Sequence, residues 1–111
     1  MPMDEVTLPH PLDDFVAAVN RHDEAAFLLL FPPDGTVDDW GQRMEGRAAI
    51  QRWSAEQFIG AKGVITPRSF TQRGNIVHVK ADWKSSFYSG ESEFIFTLEN
   101  GFIREMRIPP H

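Results

Sequence analysis

The sequence has no cysteine, a single tyrosine and only short apolar runs among its 111 residues. Without cysteine it has no disulfide framework, no thiolate nucleophile and no cysteine-based zinc site. No segment is apolar for long enough to span a bilayer. The N-terminal stretch MPMDEVTLPHPL lacks the basic start and apolar run of a signal peptide, so we expect a cytoplasmic protein.

Positive charge is also scarce. The chain has 11 Lys and Arg against 16 Asp and Glu, which gives a net charge of -5, and its basic residues are scattered. Binding to nucleic acid or to an anionic membrane surface needs clustered Lys and Arg. We therefore expect neither nucleic acid nor a membrane as a partner.

Metal-binding and nucleophile motifs are missing as well. His10, His22, His78 and His111 show no spacing typical of metal ligands, and no serine lies in a nucleophile elbow. The adjacent Asp38 and Asp39 fall far short of a calcium or magnesium signature. We expect no metal and no cofactor.

A composition of 41% hydrophobic and 24% charged residues favours one domain over residues 1–111, with an irregular leader over residues 1–10.

The first half of the chain has the pattern of helices. Apolar residues at helical spacing predict a helix beginning at Leu12. A second helix capped by Asp23 should end at Pro32, and a third should cover residues 47–58.

A short strand over residues 36–40 and a polar loop over residues 41–46 come before the third helix.

In the second half of the chain, apolar and polar residues alternate with period two. Four strands should follow, over residues 64–73, 76–87, about 91–99 and 102–108, with Phe94, Phe96 and Leu98 sharing one face of the third. Short turns at Gly74-Asn75 and Asn100-Gly101 make these four strands an antiparallel meander. The pattern predicts an α+β domain in which helices cover one face of a curved sheet.

Four segments in this order, FVAAVN, LFPPDGTVDD, GRAAI and the strand from Phe94 to Ile103, resemble the NTF2-like superfamily, more narrowly its SnoaL-like and ketosteroid-isomerase-like branch. The resemblance covers about residues 12–108. It implies a cone in which three N-terminal helices pack in a curved antiparallel sheet made of a short first strand and a four-stranded meander. An apolar pocket should lie between the helices and the sheet.

The resemblance also implies a catalytic position. In ketosteroid-isomerase-like members, a carboxylate at the end of the first strand removes a proton from carbon next to a carbonyl. That position falls on Asp39, while its neighbour Asp38 should face the opposite way along an extended backbone. A carboxylate partly desolvated by Trp40 and Trp53 is a reasonable general base on physical grounds too. The plainer interpretation is that Asp38 and Asp39 only end a strand and cap the following loop.

The oxyanion donors of the family are not reproduced. The family's phenol on the first helix matches Phe15, which has no hydroxyl. Its protonated acid matches Glu93 only approximately, and the strand's phase turns Glu93 away from the core. Both departures argue against ketosteroid isomerase activity. Substitute donors would be an indole N–H of Trp40, Trp53 or Trp83, the hydroxyl of Tyr88, or Arg104, which we consider as an oxyanion or ligand contact.

Aromatic residues make up 12% of the chain and gather at inward positions. We expect the following to line the pocket: Phe15, Trp40, Trp53, Phe58, Trp83, Phe87, Phe94 and Phe96. The same spacing predicts burial in a core whatever the function. The sequence is therefore compatible with an open pocket and with a pocket filled by these aromatic side chains. The sequence thus favours a pocket for a small, ring-containing apolar molecule, with or without turnover by Asp39. The alternative is a non-catalytic binding or dimerisation domain.

The outer face of the sheet should carry His78, Lys80 and Asp82, with Ile65, Ile76 and Ile95 among them. Such a mixed surface fits a polar two-fold interface, and related domains commonly pair through this face. We therefore expect a homodimer.

Overall fold

The structure is a computed structural model that describes residues 6–86 and 88–110. Within these residues the chain forms three helices, α1 Leu12–Asn20, α2 Glu24–Leu29 and α3 Arg47–Gln57. It also forms six strands, β1 Thr36–Asp39, β2 Gln42–Glu45, β3 Val64–Arg73, β4 Ile76–Lys84, β5 Ser89–Glu99 and β6 Phe102–Ile108. The predicted α+β class and the four-stranded meander are confirmed.

All six strands belong to one curved sheet with the order β2-β1-β6-β5-β4-β3. Strand β1 runs parallel to β6, and the other neighbouring pairs are antiparallel. The parallel pairing places the end of β1 beside the end of the chain's last strand, with Asp39 opposite Ile108. The first and last strands of the chain are therefore neighbours within the sheet, with their C-terminal ends side by side.

Strand β2 was not predicted, because its residues Gln42–Glu45 lie within the expected polar loop. Three of these residues are exposed, as is usual for an edge strand, and only Met44 is buried, opposite Val37. A single inward side chain gives too weak an alternation to identify a strand from sequence. Its pairing with β1 makes a hairpin whose tip is Trp40-Gly41.

The helices form as their sequences predict. Leu12, Phe15 and Val19 lie on the buried face of α1, and Oδ1 of Asp23 caps α2 by accepting from the backbone N–H of Ala26 at 3.1 Å. Helix α3 buries Ile50 and Trp53, which are one turn apart. The helices thus cover the inner face of the sheet, and α2 leaves Leu29 exposed on its outer side.

The meander also follows its pattern, with two adjustments. Strand β4 buries Val77, Val79, Ala81 and Trp83 on one face, as the alternation predicts. It ends at Lys84, before the predicted limit of residue 87; Phe87 itself lies outside the described residues. In β5, Leu98 is only half-buried, because the register with β6 shifts between Thr97 and Leu98.

No helix among the described residues has the length and apolarity needed to cross a membrane.

Candidate functional site

A cavity of about 690 Å³ opens between α3, the ends of β1 and β6, and the strands β4 and β5. Its walls are mostly aromatic and aliphatic, and they contain few polar groups. The lining residues are Asp39, Trp40, Trp53, Gln57, Phe58, Trp83, Ser85, Tyr88, Ser92, Phe94 and Ile108. A cavity of this size and character is typical of small-molecule sites.

Asp39 lies at the end of β1 with its side chain at the cavity wall. Its Oδ2 accepts a hydrogen bond of 3.0 Å from the indole Nε1 of Trp53, on the inward face of α3. The other carboxylate oxygen has no hydrogen-bond partner among the described residues. One oxygen is thus held in place and the other is available to a bound molecule.

The neighbouring aspartate has a different role. Oδ1 of Asp38 accepts from the backbone N–H of Gly41 at 2.9 Å, and its Oδ2 lies 3.6 Å from Nη1 of Arg43. Asp38 does not line the cavity. Because successive residues of a strand face opposite ways, the two carboxylates are separated, and Asp38 braces the hairpin from outside.

Three stacked rings form one wall of the cavity. The ring of Phe58 lies between those of Trp53 and Trp83, with centroids 4.9 Å and 4.8 Å away, and it is nearly parallel to the ring of Trp83, at 3°. A β-carbon at Gly63 would overlap the ring of Trp83, so glycine at this position lets the ring take its place. The stack thus gives the cavity an aromatic wall, which suits a ring-containing molecule.

Ser92 is a buried polar residue of the cavity that the sequence interpretation missed. It lies on the inward face of β5 beside Phe94, its exposed fraction is 7%, and it lines the cavity. No described residue forms a hydrogen bond with its hydroxyl. The alternation that placed Phe94 and Phe96 inward also places Ser92 inward, so the signal was present in the sequence. Gln57, Ser85 and Ile108 also line the cavity and were missed; they lie at element ends, where no periodicity identifies them.

Five of the eight aromatic residues expected to line the pocket do so: Trp40, Trp53, Phe58, Trp83 and Phe94. Phe15 and Phe96 do not. Both are fully buried in the core, with ring centroids 5.0 Å apart, because α1 packs directly on this part of β5. The expectation for Phe87 lies outside the described residues.

The expectation that Arg104 contacts a ligand is corrected. Its Nη1 donates to Oδ1 of Asp34 at 2.7 Å, in the segment before β1, and Arg104 does not line the cavity. The guanidinium holds the pKa of the Asp34 carboxyl below its usual value through this hydrogen bond. Glu93 lies on the outer face of β5 opposite Lys80, as the strand's phase predicts.

The cavity has one acidic group and, among its described lining residues, no Lys, Arg or His. Among the described residues, one cluster of possible metal ligands, His10, Asp13 and Asp14, is exposed at the start of α1, and exposed acidic groups are common without a metal. It lies outside the cavity. The cavity itself offers the carboxylate of Asp39 as a base, together with the hydroxyls of Ser85, Tyr88 and Ser92 and the amide of Gln57, in largely apolar surroundings.

Comparison with a model of the SnoaL-like domain gives a match over residues 12–106. A proposed polyketide cyclase from Sinorhizobium meliloti is 29% identical, with 91% of this chain and 94% of that chain covered and a TM-score of 0.83. None of the curated proteins matches.

Two more distant structures show the same fold with bound small molecules. A Mycobacterium tuberculosis protein in complex with estradiol-17β-hemisuccinate is 17% identical, with 86% of this chain and 87% of that one covered and a TM-score of 0.74. A Catenulispora acidiphila protein of ketosteroid isomerase-like fold, in complex with trimethylamine, is 19% identical, with 92% and 87% covered and a TM-score of 0.77. At these identities the likeness concerns the fold alone.

Proposed function

Because the chain belongs to the SnoaL-like domain family, with its NTF2-like fold, we propose that its cavity binds a small ring-containing molecule and that Asp39 removes a proton from carbon next to a carbonyl of that molecule. The observation that carries this proposal is the carboxylate of Asp39 at the cavity wall, held through one oxygen by Trp53 at 3.0 Å. The reaction class is that of an isomerase, cyclase or lyase. The likeness to a proposed polyketide cyclase supports that class.

Trp53 and Asp39 have different roles in the proposed reaction. Trp53 orients the carboxylate, and the second oxygen of Asp39 accepts the proton from carbon. The C–H electron pair becomes a C=C bond, and the carbonyl π pair moves to oxygen as an enolate. Asp39 can then return the proton to another carbon. A positioned general base contributes roughly 10²- to 10⁴-fold to such a step.

The enolate oxygen needs a hydrogen-bond donor. Ser92 is the buried hydroxyl that faces the cavity with no partner among the described residues, so it is the donor that we assign. Losing one such donor costs roughly 10²- to 10³-fold in rate. The indole N–H of Trp53 is already used by Asp39, and Arg104 is paired outside the cavity.

A second candidate is binding without chemistry. It is favoured by the position of Phe15, which has no hydroxyl and is buried in the core, and by the outward direction of Glu93. With both family donors absent, the enolate would depend on a donor that the family does not use, such as Ser92. The two candidates share the cavity and differ only in whether Asp39 transfers a proton.

Calorimetric titration with 2-acetonaphthone tests the shared part. This probe is flat and neutral, and it has an exchangeable C–H next to a carbonyl. We expect saturable binding to the wild type and to Asp39→Asn, because Asn keeps an acceptor for Trp53. Trp83→Ala, which removes one ring of the stacked wall, should weaken binding. Absence of saturable binding to the wild type would contradict both candidates.

The proposal includes a homodimer formed through the outer sheet face. His78 and Lys80 are exposed there, and Ile76 and Ile95 are half-buried among them. Ile65, which the sequence placed on this face, is instead in the core. Light scattering after size-exclusion chromatography should give the mass of a dimer. A monomer at tens of micromolar would count against the interface.

A further inference from the structure

The inward face of α3 ends in a polar residue, Gln57. Ile50, Trp53 and Ser54 are buried on this face. The apolar pattern of the helix stops before Gln57, but helix geometry still places this residue on the same face, because it follows Trp53 by four positions. A helix that packs on a core has an apolar residue at such a position. Gln57 is instead exposed and lines the cavity, so it lies at the opening of the cavity rather than in the core.

The side-chain amide of Gln57 is available to a bound molecule. None of the residues that the structure describes forms a hydrogen bond with it. Gln51, on the same helix but outside the cavity, instead donates from Nε2 to Oε1 of Glu24 at 3.4 Å. A glutamine amide has two N–H donors and a carbonyl acceptor. It can therefore bind either a hydroxyl or a carbonyl group.

Gln57 lies one helical turn beyond the residue that orients the carboxylate. Nε1 of Trp53 donates to Oδ2 of Asp39 at 3.0 Å. Side chains four positions apart on a helix are neighbours, and they are displaced by about 6 Å along its axis. A molecule whose reacting carbon lies at Asp39 therefore reaches Gln57 with the far side of its ring system.

We infer that Gln57 determines specificity by forming a hydrogen bond with a second oxygen group of the bound molecule, a hydroxyl or a carbonyl remote from the carbon at Asp39. The inference rests on the proposed binding function and narrows the class of ligand. This second group is uncharged, because the cavity has the carboxylate of Asp39 and its described lining residues include no basic side chain. The ligand class is thus a neutral ring molecule with oxygen at two separate places.

Hydroxylated forms of 2-acetonaphthone test this inference. 6-Hydroxy-2-acetonaphthone and its 7-hydroxy isomer carry a hydroxyl on the ring remote from the acetyl group, and at about pH 6 this hydroxyl keeps its proton. In calorimetric titration, at least one of the two should bind the wild type roughly 2- to 12-fold more tightly than 2-acetonaphthone, the range that corresponds to one neutral hydrogen bond. Gln57→Leu should abolish this gain, because leucine offers no hydrogen bond. It should bind 2-acetonaphthone itself at least as tightly as the wild type does.

Gln51→Leu is the matched control. It makes the same change on the same helix outside the cavity, so it should keep the gain from the hydroxyl. If the wild type binds 2-acetonaphthone but gains nothing from either hydroxyl, the inference alone is overturned. A gain that survives in Gln57→Leu, or that Gln51→Leu loses equally, would overturn it as well. If the wild type binds none of the three probes, the proposed function fails together with the inference.

Discussion

The indole Nε1 of Trp53 donates to Oδ2 of Asp39 at 3.0 Å and thereby joins helix α3 to the end of strand β1. The same indole stacks on Phe58, so one side chain both holds the carboxylate and forms part of the cavity wall. The orientation of Asp39 therefore depends on the packing of the aromatic stack.

Trp53→Phe should keep a ring in the stack and remove the donor. We expect the free energy of unfolding to fall by about 1–3 kcal/mol, because a charge-assisted hydrogen bond and part of a buried ring are lost. Urea denaturation with an unchanged slope would measure this loss. Trp40→Phe makes the same change at an exposed position, and it should lower the free energy of unfolding much less. Equal losses in the two variants would contradict the role of the hydrogen bond.

Gly63→Ala should destabilise the protein through Trp83. The added methyl group overlaps that ring, which is held against Phe58, and overpacking of this kind costs about 1–3 kcal/mol. In a double-mutant cycle, the combination of Gly63→Ala with Trp83→Phe should lose less stability than the sum of the single changes. Simple additivity would show that the two residues do not compete for the same space.

Arg104→Met should reduce stability near neutral pH without affecting ligand affinity. The folded-state pKa of Asp34 is lowered by Arg104 from the ordinary value of 3.8, so this pair stabilises the fold above that pH. The contribution is lost as the pH falls through the lowered pKa. The stability difference between wild type and variant should thus shrink in strong acid, and salt should reduce it as well. A weakened affinity of Arg104→Met for 2-acetonaphthone would show that Arg104 contributes to ligand binding, and it would contradict the placement of this residue outside the site.

An anionic probe should bind more weakly than a neutral one of the same shape. The described lining residues offer a carboxylate and no basic side chain, so 2-naphthoate should bind roughly tenfold or more weakly than 2-acetonaphthone at low ionic strength. Asp39→Asn should reduce this difference. Asp38→Asn, which changes the net charge equally but lies outside the cavity, should leave it nearly intact. The same response in both variants would point to long-range charge rather than to the cavity.

The fold could be read from the sequence because its periodic patterns are local. The alternation of β4 and the helical face of α1 each need only neighbouring residues, and the structure confirms both. Strand β2 was missed because one buried residue, Met44, makes no pattern.

The site was only partly predictable, since its details depend on contacts between distant residues. Asp39 followed from family resemblance, but the pairing of Arg104 with Asp34 joins residues 70 positions apart. The turn at Trp40 could not be predicted either, because Trp-Gly is not a recognised hairpin signal. Ser92 is the exception: its strand's alternation identifies it.

Deuterium incorporation into 2-acetonaphthone in D₂O, followed by NMR at saturating protein, tests the central claim most directly. The wild type should speed exchange at the carbon next to the carbonyl, and Asp39→Asn should lower the protein-catalysed rate by roughly 10²-fold or more while keeping the affinity. Asp38→Asn should exchange like the wild type. Equal rates in the wild type and Asp39→Asn, or a wild-type rate no faster than buffer, would contradict the assignment of Asp39 as the base.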